Sequence, residues 1–187
     1  MKYNKKIVEH AVAYIAQNYF TKTKKHIDQV VLYKILAFTD FECVRSIGRP
    51  LTALKYYAEK MGPVPHTLKN MKSTVYEKYC SQDENLGKPV FVCKNEPNID
   101  FFSDYELDVL DKYINRAVSE EWTAEKASEL SHKEIKSWQI AIDNNYPRKL
   151  MDYADEFGGD FKFKKESERT SAEANYAIYA ALSNRDS

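Results

Sequence analysis

The chain has 187 residues, 43% of them apolar, and its 28 basic residues balance 28 acidic ones at pH 7. This length fits one domain with a sizeable core, and the apolar content excludes a largely disordered chain. With 5 Gly and 6 Pro the chain is poor in turn residues, which disfavours a many-stranded sandwich. We therefore expect a mainly α fold, a compact single-domain helical bundle with a minor short β element.

The charge is unevenly distributed along the chain. Residues 1–80 hold 14 Lys/Arg and 6 Asp/Glu, whereas residues 81–161 hold 9 Lys/Arg and 18 Asp/Glu. Two interpretations remain open: the halves attract each other within the fold, or one face attracts an oppositely charged partner. Because the net charge is zero, we do not expect nucleic acid to be the partner.

Cysteine usage and hydropathy indicate the compartment. Cys43, Cys80 and Cys93 form no CxxC pair and no zinc-type spacing, so we expect reduced thiols and no metal. The N-terminus lacks the apolar run of a signal peptide, and no apolar run is long enough to span a bilayer. These features predict a cytoplasmic protein without a membrane partner.

Two helices are predicted at the start of the chain. Apolar residues at three- and four-residue steps predict a helix over 4–20 and a second from His26 to Ile47. The second is apolar around more than half of its circumference, which is typical of a helix at the centre of a bundle. Gly48 suits the position after its end, and Pro50 prevents its continuation.

The next segment is predicted as two helices around a stiff turn. Thr52 is a candidate N-cap for a short helix from Thr52 to Lys60. The turn Gly62-Pro63-Val64-Pro65 must be non-helical, because a residue before proline favours extended geometry. Pro65 suits the first position of a helix over about 65–81.

The second half combines one short strand with capped helices. PVFVC (89–93) alternates like a strand, and FKF at 161–163 is a candidate partner for it. Three Ser/Thr–x–x–Glu pairs are candidate capping boxes. They are Ser103 with Glu106, Ser131 with Glu134, and Thr170 with Glu173. The corresponding helices are predicted over 104–118, over 132–142 and from Thr170 to about Leu182, with a short helix over 124–130.

No catalytic motif is recognisable in the sequence. It has no phosphate-binding glycine loop, no HExxH, no GxSxG and no calcium loop. A nucleophile set of His132, Asp40 and Cys43 can be imagined, but nothing in the spacing supports it. We therefore expect no catalytic residues and no cofactor.

Lysines and tyrosines are the candidate residues for a binding surface. The helices predicted around the Gly-Pro-Val-Pro turn carry several lysines, but the turn is stiffer than that of a helix–turn–helix, and the helix predicted over 65–81 contains no Arg to read guanine. Tyrosine is frequent, with 14 residues, and Tyr56 and Tyr57 precede the turn. Tyrosines are favoured in protein interfaces, although packing between helices explains any single one equally well.

Several ordered motifs resemble one family. Residues 30–65 contain LYKILAFTDF, then GRPLT, the Tyr56-Tyr57 pair and GPVP. FFSDYELDVLDKYI (101–114) and SELSHKEIKSW (128–138) follow in the same order. This series resembles the Panacea or SocA-like antitoxin domain. The family often has Gly after the Thr of the GRPLT motif, where this chain has Ala53.

The resemblance implies a helical domain that neutralises a cognate protein toxin by direct binding. Some relatives instead act as adaptors that deliver a toxin to an ATP-dependent protease. The resemblance covers residues 26–143. Outside it we expect an N-terminal helix in 1–25 and a C-terminal extension in 144–187, whose last helix packs on the same domain. A DNA-binding repressor and a hydrolase using His132 stay open as alternatives. The sequence leaves the oligomeric state and a phage or host origin open.

Candidate site residues fall into two groups. We expect a structural group to shape the backbone or to fix internal packing and hydrogen bonds. It consists of Asp40, Gly48, Pro50, Thr52, Gly62, Pro63, Val64, Pro65, Ser131, His132 and Trp138. We expect partner-binding residues to flank the turns. They are Arg49, Tyr56, Tyr57, Met61 and His66, and a charge placed at Tyr56 or Tyr57 is predicted to weaken neutralisation while leaving the fold intact.

Overall fold

The fold is given by a computed structural model that describes residues 4–70, 80–83, 89–142 and 149–183. Its helices are α1 (Lys5–Thr23), α2 (Gln29–Ile47), α3 (His66–Asn70), α4 (Asp104–Ser119), α5 (Ala124–Glu134), α6 (Lys136–Ile142) and α7 (Ser171–Ser183). Its strands are β1 (Ile27–Asp28), β2 (Tyr56–Glu59), β3 (Gly62–Pro65), β4 (Cys80–Asp83), β5 (Val90–Cys93) and β6 (Lys149–Leu150). The predicted mainly α fold with a minor β component is confirmed.

Helix α2 lies at the centre of the domain, as predicted from its apolar residues, which cover more than half of its circumference. It packs against α1, α4, α5, α7 and the strand β3. The predicted start at His26 is wrong, because Ile27–Asp28 form β1 and the Asp28 side chain caps α2 by accepting from the Val30 N–H at 2.7 Å. Gly48 ends the helix as predicted, with φ +77°.

The C-terminal helix α7 packs directly on the end of α2. A Cβ on Gly48 would overlap the Ala172 carbonyl oxygen, so a larger residue there would force the two helices apart. The Asn175 amide donates to the Ile47 carbonyl at 3.3 Å and satisfies one of the last carbonyls of α2. Gly48 therefore ends α2 and, because it has no side chain, allows α7 to pack closely against that end.

In the described part of the chain, two small antiparallel sheets pack beside the helices. The first has the strand order β1-β5-β4, and the second has the order β3-β2-β6. The strand predicted within 89–93 is confirmed as β5, but its neighbours are β1 and β4. The predicted pairing of β5 with residues 161–163 is wrong, since Phe161–Phe163 form a 3₁₀ turn.

The helix predicted from Thr52 to Lys60 is wrong, because β2 and β3 form a hairpin there. Tyr56 pairs with Pro65 and Glu59 with Gly62. Thr52 does not cap a helix, since its N–H and hydroxyl bind the Asp40 carboxylate.

The helix predicted over about 65–81 is confirmed only as α3. Residues 71–79 lie outside the described residues. The predicted end at residue 81 is wrong, because Cys80–Asp83 form β4.

Two of the three predicted capping boxes are confirmed. In the box at α4, the Ser103 N–H donates to Glu106 at 2.8 Å, and at α7 the Thr170 N–H donates to Glu173 at 2.8 Å. The box at Ser131 is wrong, because Ser131 lies inside α5 and its hydroxyl donates to the Ser128 carbonyl at 2.7 Å. Helix α5, which Thr123 caps, continues through Ser131 and ends at Glu134.

Candidate functional site

A buried carboxylate connects α2 to the segment that leads into the hairpin. Asp40 is fully buried and accepts hydrogen bonds from the Thr52 N–H at 2.6 Å, the Thr52 hydroxyl and the Tyr56 hydroxyl at 2.8 Å. Burial raises the pKa of Asp40 to about 6, although these hydrogen bonds oppose the shift. The Tyr153 hydroxyl joins the cluster and donates to the Leu54 carbonyl at 2.8 Å.

A buried lysine attaches the hairpin itself to α2. The Lys34 ammonium group donates to the Pro63 carbonyl at 2.8 Å, and the side chain is 0% exposed. Burial lowers the pKa of Lys34 to about 7, while the charge of Glu59 acts in the opposite direction. A lysine in this position fixes β3 against the middle of α2.

Gly62 lets the hairpin enter the space between α2 and α5. Its φ of +87° lies in the left-handed region that glycine adopts at little cost. A Cβ there would overlap the Ser131 hydroxyl and lie 3.1 Å from the Lys34 Cε. The hairpin is thus positioned from both sides by close contact.

A stacked pair joins α5 and α6 to the hairpin. The rings of His132 and Trp138 are stacked with their centroids 3.8 Å apart, and Trp138 Nε1 donates to the Glu59 carbonyl at 3.1 Å. The buried Nε2 of His132 has no hydrogen-bond partner among the described residues. Burial and the charge of Lys34 lower the pKa of His132. The stacked pair therefore supports the hairpin through the Trp138 hydrogen bond. The lowered pKa favours the neutral form of the His132 ring.

Three of the five predicted partner-binding residues lie in the hairpin or directly after it. Tyr57 stacks on His66 with ring centroids 4.1 Å apart, and His66 Nε2 lies 2.6 Å from Glu59 Oε1. Met61 at the turn is 43% exposed. We call Tyr57, Met61 and His66 the hairpin outer face.

The other two predicted partner-binding residues lie elsewhere. Tyr56 is 1% exposed and packs against Phe41 in the core, so of the Tyr56-Tyr57 pair only Tyr57 faces outward. Arg49 follows α2 and forms an ion pair of 2.7 Å with Glu106 of α4. A second ion pair, between Arg45 and Glu156, likewise joins the basic first half of the chain to the acidic second half.

Sequence reasoning missed several residues that build this site. Lys34 carries a signal that was available, because a lone lysine within the apolar run of a central helix requires a buried partner. Glu59 and Tyr153 carry no comparable signal, since Glu59 accepts from Trp138 and Tyr153 donates to Leu54, both far away in the sequence. The contacts of Tyr153 become visible only in the fold.

The imagined nucleophile set is dispersed over two different clusters. The Asp40 carboxylate accepts hydrogen bonds from Thr52 and Tyr56, whereas His132 stacks on Trp138. Burial raises the pKa of the Cys43 thiol far above its usual value. Among the described residues, no group of three or more His, Cys, Asp or Glu side chains is placed to hold a metal ion.

The fold and site together define a mainly α domain in which one central helix carries a tightly held β-hairpin. The family model described as "Antitoxin SocA-like, Panacea domain" matches residues 32–139. Since this match covers more than half of the chain, the chain belongs to that family. Searches of curated proteins and of solved structures give no match. Within the described residues, no helix has the length and apolar character needed to cross a membrane.

Proposed function

We propose that this chain is an antitoxin that neutralises a cognate protein toxin by direct binding, without catalysing a reaction itself. The observation that carries the proposal is the match of the antitoxin family model to residues 32–139. The matched range includes most of α2, the hairpin and the His132–Trp138 stack.

The geometry of the hairpin supports a role in binding. The hairpin outer face presents an aromatic stack and an exposed methionine, and both residue types are enriched in protein interfaces. The hairpin is held by Lys34, Gly62 and Trp138, so it is already ordered before a partner arrives. Such preorganisation lowers the entropic cost of binding.

Co-expression with the product of the adjacent gene tests the proposal. We expect that product to stop growth when expressed alone, growth to resume when this chain is present, and the two proteins to co-purify. An adjacent product that is harmless alone, or that stays lethal with the chain present, would contradict the proposal.

A pulse-chase measurement separates neutralisation by binding from delivery to a protease. Direct neutralisation predicts that the toxin persists in a stable complex with the chain. An adaptor predicts that the toxin is degraded faster when the chain is present, and that result would replace the proposed mechanism.

A further inference from the structure

A groove of about 810 Å³ opens beside the edge strand β6. Its lining comes from the Ala53–Lys55 segment, β6 and the residues that follow it, α7 and the 3₁₀ turn Phe161–Phe163. The surface inside is mainly apolar. It is lined by Leu150, Met151, Ala154, Phe161, Tyr176 and Ala180. We call this feature the β6 groove.

The β6 groove is continuous with the hairpin outer face. Leu150 pairs with Tyr57 across the two strands, so their side chains lie on the same side of the sheet. Leu150 is 46% exposed although it lines the groove. An apolar side chain of a partner can therefore contact Leu150 while the same partner covers Tyr57.

Positive charge is in excess around the groove. Lys55 and Lys149 line it and are exposed, and the charge of Lys149 acts on the nearby Asp155. Lys162 lies 3.4 Å from Asp152, so this pair is largely self-neutralised. Asp155 also lines the groove, and burial and the neighbouring Asp152 raise its pKa. The lining thus holds three lysines and two aspartates, an excess of one positive charge. A ligand with negative charge is the electrostatic complement of this rim.

We infer that the β6 groove binds an acidic segment of the cognate toxin, with one apolar side chain of that segment inserted against Leu150. Interfaces commonly place an apolar anchor at the centre and charged residues at the rim. Here Leu150 supplies an exposed apolar side chain, and Lys55 and Lys149 supply exposed positive charges beside it. The inference rests on the proposed function, because it identifies the surface and the partner chemistry for the same interaction.

Two variants of the full-length chain test the two parts of the site, with the purified adjacent-gene product as ligand. Leu150→Asp introduces a charge at the anchor, and we expect it to weaken binding by at least about tenfold. The double variant Lys55→Glu/Lys149→Glu reverses the rim. It is expected to weaken binding by about tenfold at about 50 mM NaCl and much less at about 500 mM, because salt screens exposed charges.

Matched control variants carry the same chemical changes elsewhere. Ile178→Asp alters a 61% exposed residue of α7 that lies about 200° around the helix from Tyr176 and Ala180. Lys6→Glu/Lys22→Glu makes the same charge change on α1. Both controls are expected to bind like the wild type. All four variants change exposed side chains, and thermal unfolding verifies that each is folded.

A charge-swap selection tests the partner chemistry directly. Toxin variants in which one Asp or Glu is replaced by Lys are selected for renewed neutralisation by Lys55→Glu/Lys149→Glu. Recovery of such variants supports an acidic toxin segment at the rim. Failure to recover any, in a library that covers every acidic position, overturns that part of the inference.

The outcomes distinguish the inference from the proposed function. If the wild-type chain and both groove variants neutralise equally well, the inference is overturned and the proposed function stands. If the wild-type chain does not neutralise, both are overturned. If the chain alone sediments as a dimer that Leu150→Asp dissociates without loss of neutralisation, the groove binds a second copy and the inference is overturned.

Discussion

The backbone N–H of Thr52 donates a 2.6 Å hydrogen bond to the carboxylate of Asp40, twelve residues earlier in the chain. The hydroxyls of Thr52 and Tyr56 donate to the other oxygen of the same carboxylate. This relationship shows how the LAFTDF, GRPLT and Tyr56-Tyr57 motifs act as one unit. A single buried acid in α2 positions the start of β2.

Replacing Asp40 is expected to destabilise the domain. Asp40→Ala leaves the Thr52 N–H and two hydroxyl groups buried without their acceptor, so we expect the free energy of unfolding to fall by at least about 3 kcal/mol. Urea denaturation measures this change. Asp108→Asn, on the exposed side of α4, is the control and should stay within about 0.5 kcal/mol of the wild type. A similar small change for Asp40→Ala would show that the network contributes little.

Helices were predicted well from the sequence where local signals decide them. Helices α4 and α7 begin at capping boxes, and α2 ends at a left-handed glycine. The hairpin was not predicted, since Tyr56-Tyr57-Ala58-Glu59 after a threonine has the local pattern of a capped helix. Tertiary hydrogen bonds from Lys34 and to Asp40 stabilise the strands instead.

The candidate site was predictable only in part. Tyr57, Met61 and His66 are predicted partner-binding residues because they flank a recognisable turn. In the structure Tyr57 stacks on His66, and Met61 is exposed. The β6 groove was not found, because Lys149–Leu150 carry no motif and reach β2 only through the fold. Ala53 has φ +54°, which gives a physical reason for the glycine that the family often has there.

Adding a side chain at Gly62 is expected to displace the hairpin. Gly62→Ala combines a left-handed backbone with overlap on the Ser131 hydroxyl, so the free energy of unfolding should fall by about 2 kcal/mol or more. Gly159→Ala is the control, because a Cβ there meets nothing within 4 Å. In a double-mutant cycle, Ser131→Ala should reduce the cost of Gly62→Ala, and strict additivity would argue against the predicted overlap.

The buried Lys34 is expected to make stability depend on pH above neutrality. Its pKa is lowered from 10.5 to about 7 in the folded chain, so both states are protonated below pH 7. Between pH 7 and 10.5 the unfolded chain binds more protons, and stability therefore rises with pH by at most about 1.4 kcal/mol per unit. Chemical denaturation from pH 7 to about 9 should show this rise in the wild type and its loss in Lys34→Met. Lys22→Met, an exposed control on α1, should keep the wild-type slope, and an unchanged slope in Lys34→Met would contradict the assignment.

The two adjacent tyrosines are expected to respond differently to the same substitution. Tyr57→Asp alters the hairpin outer face and should weaken toxin binding by about tenfold or more while the protein stays folded. Tyr56→Asp places a charge in the core, where it should cost at least about 3 kcal/mol of stability and abolish neutralisation through unfolding. Ile99→Asp, at a 50% exposed residue beside α1, is the control and should change neither property. Titration with the adjacent-gene product, read together with thermal unfolding, separates these effects. Full neutralisation by a folded Tyr57→Asp variant would exclude the hairpin outer face from the interface.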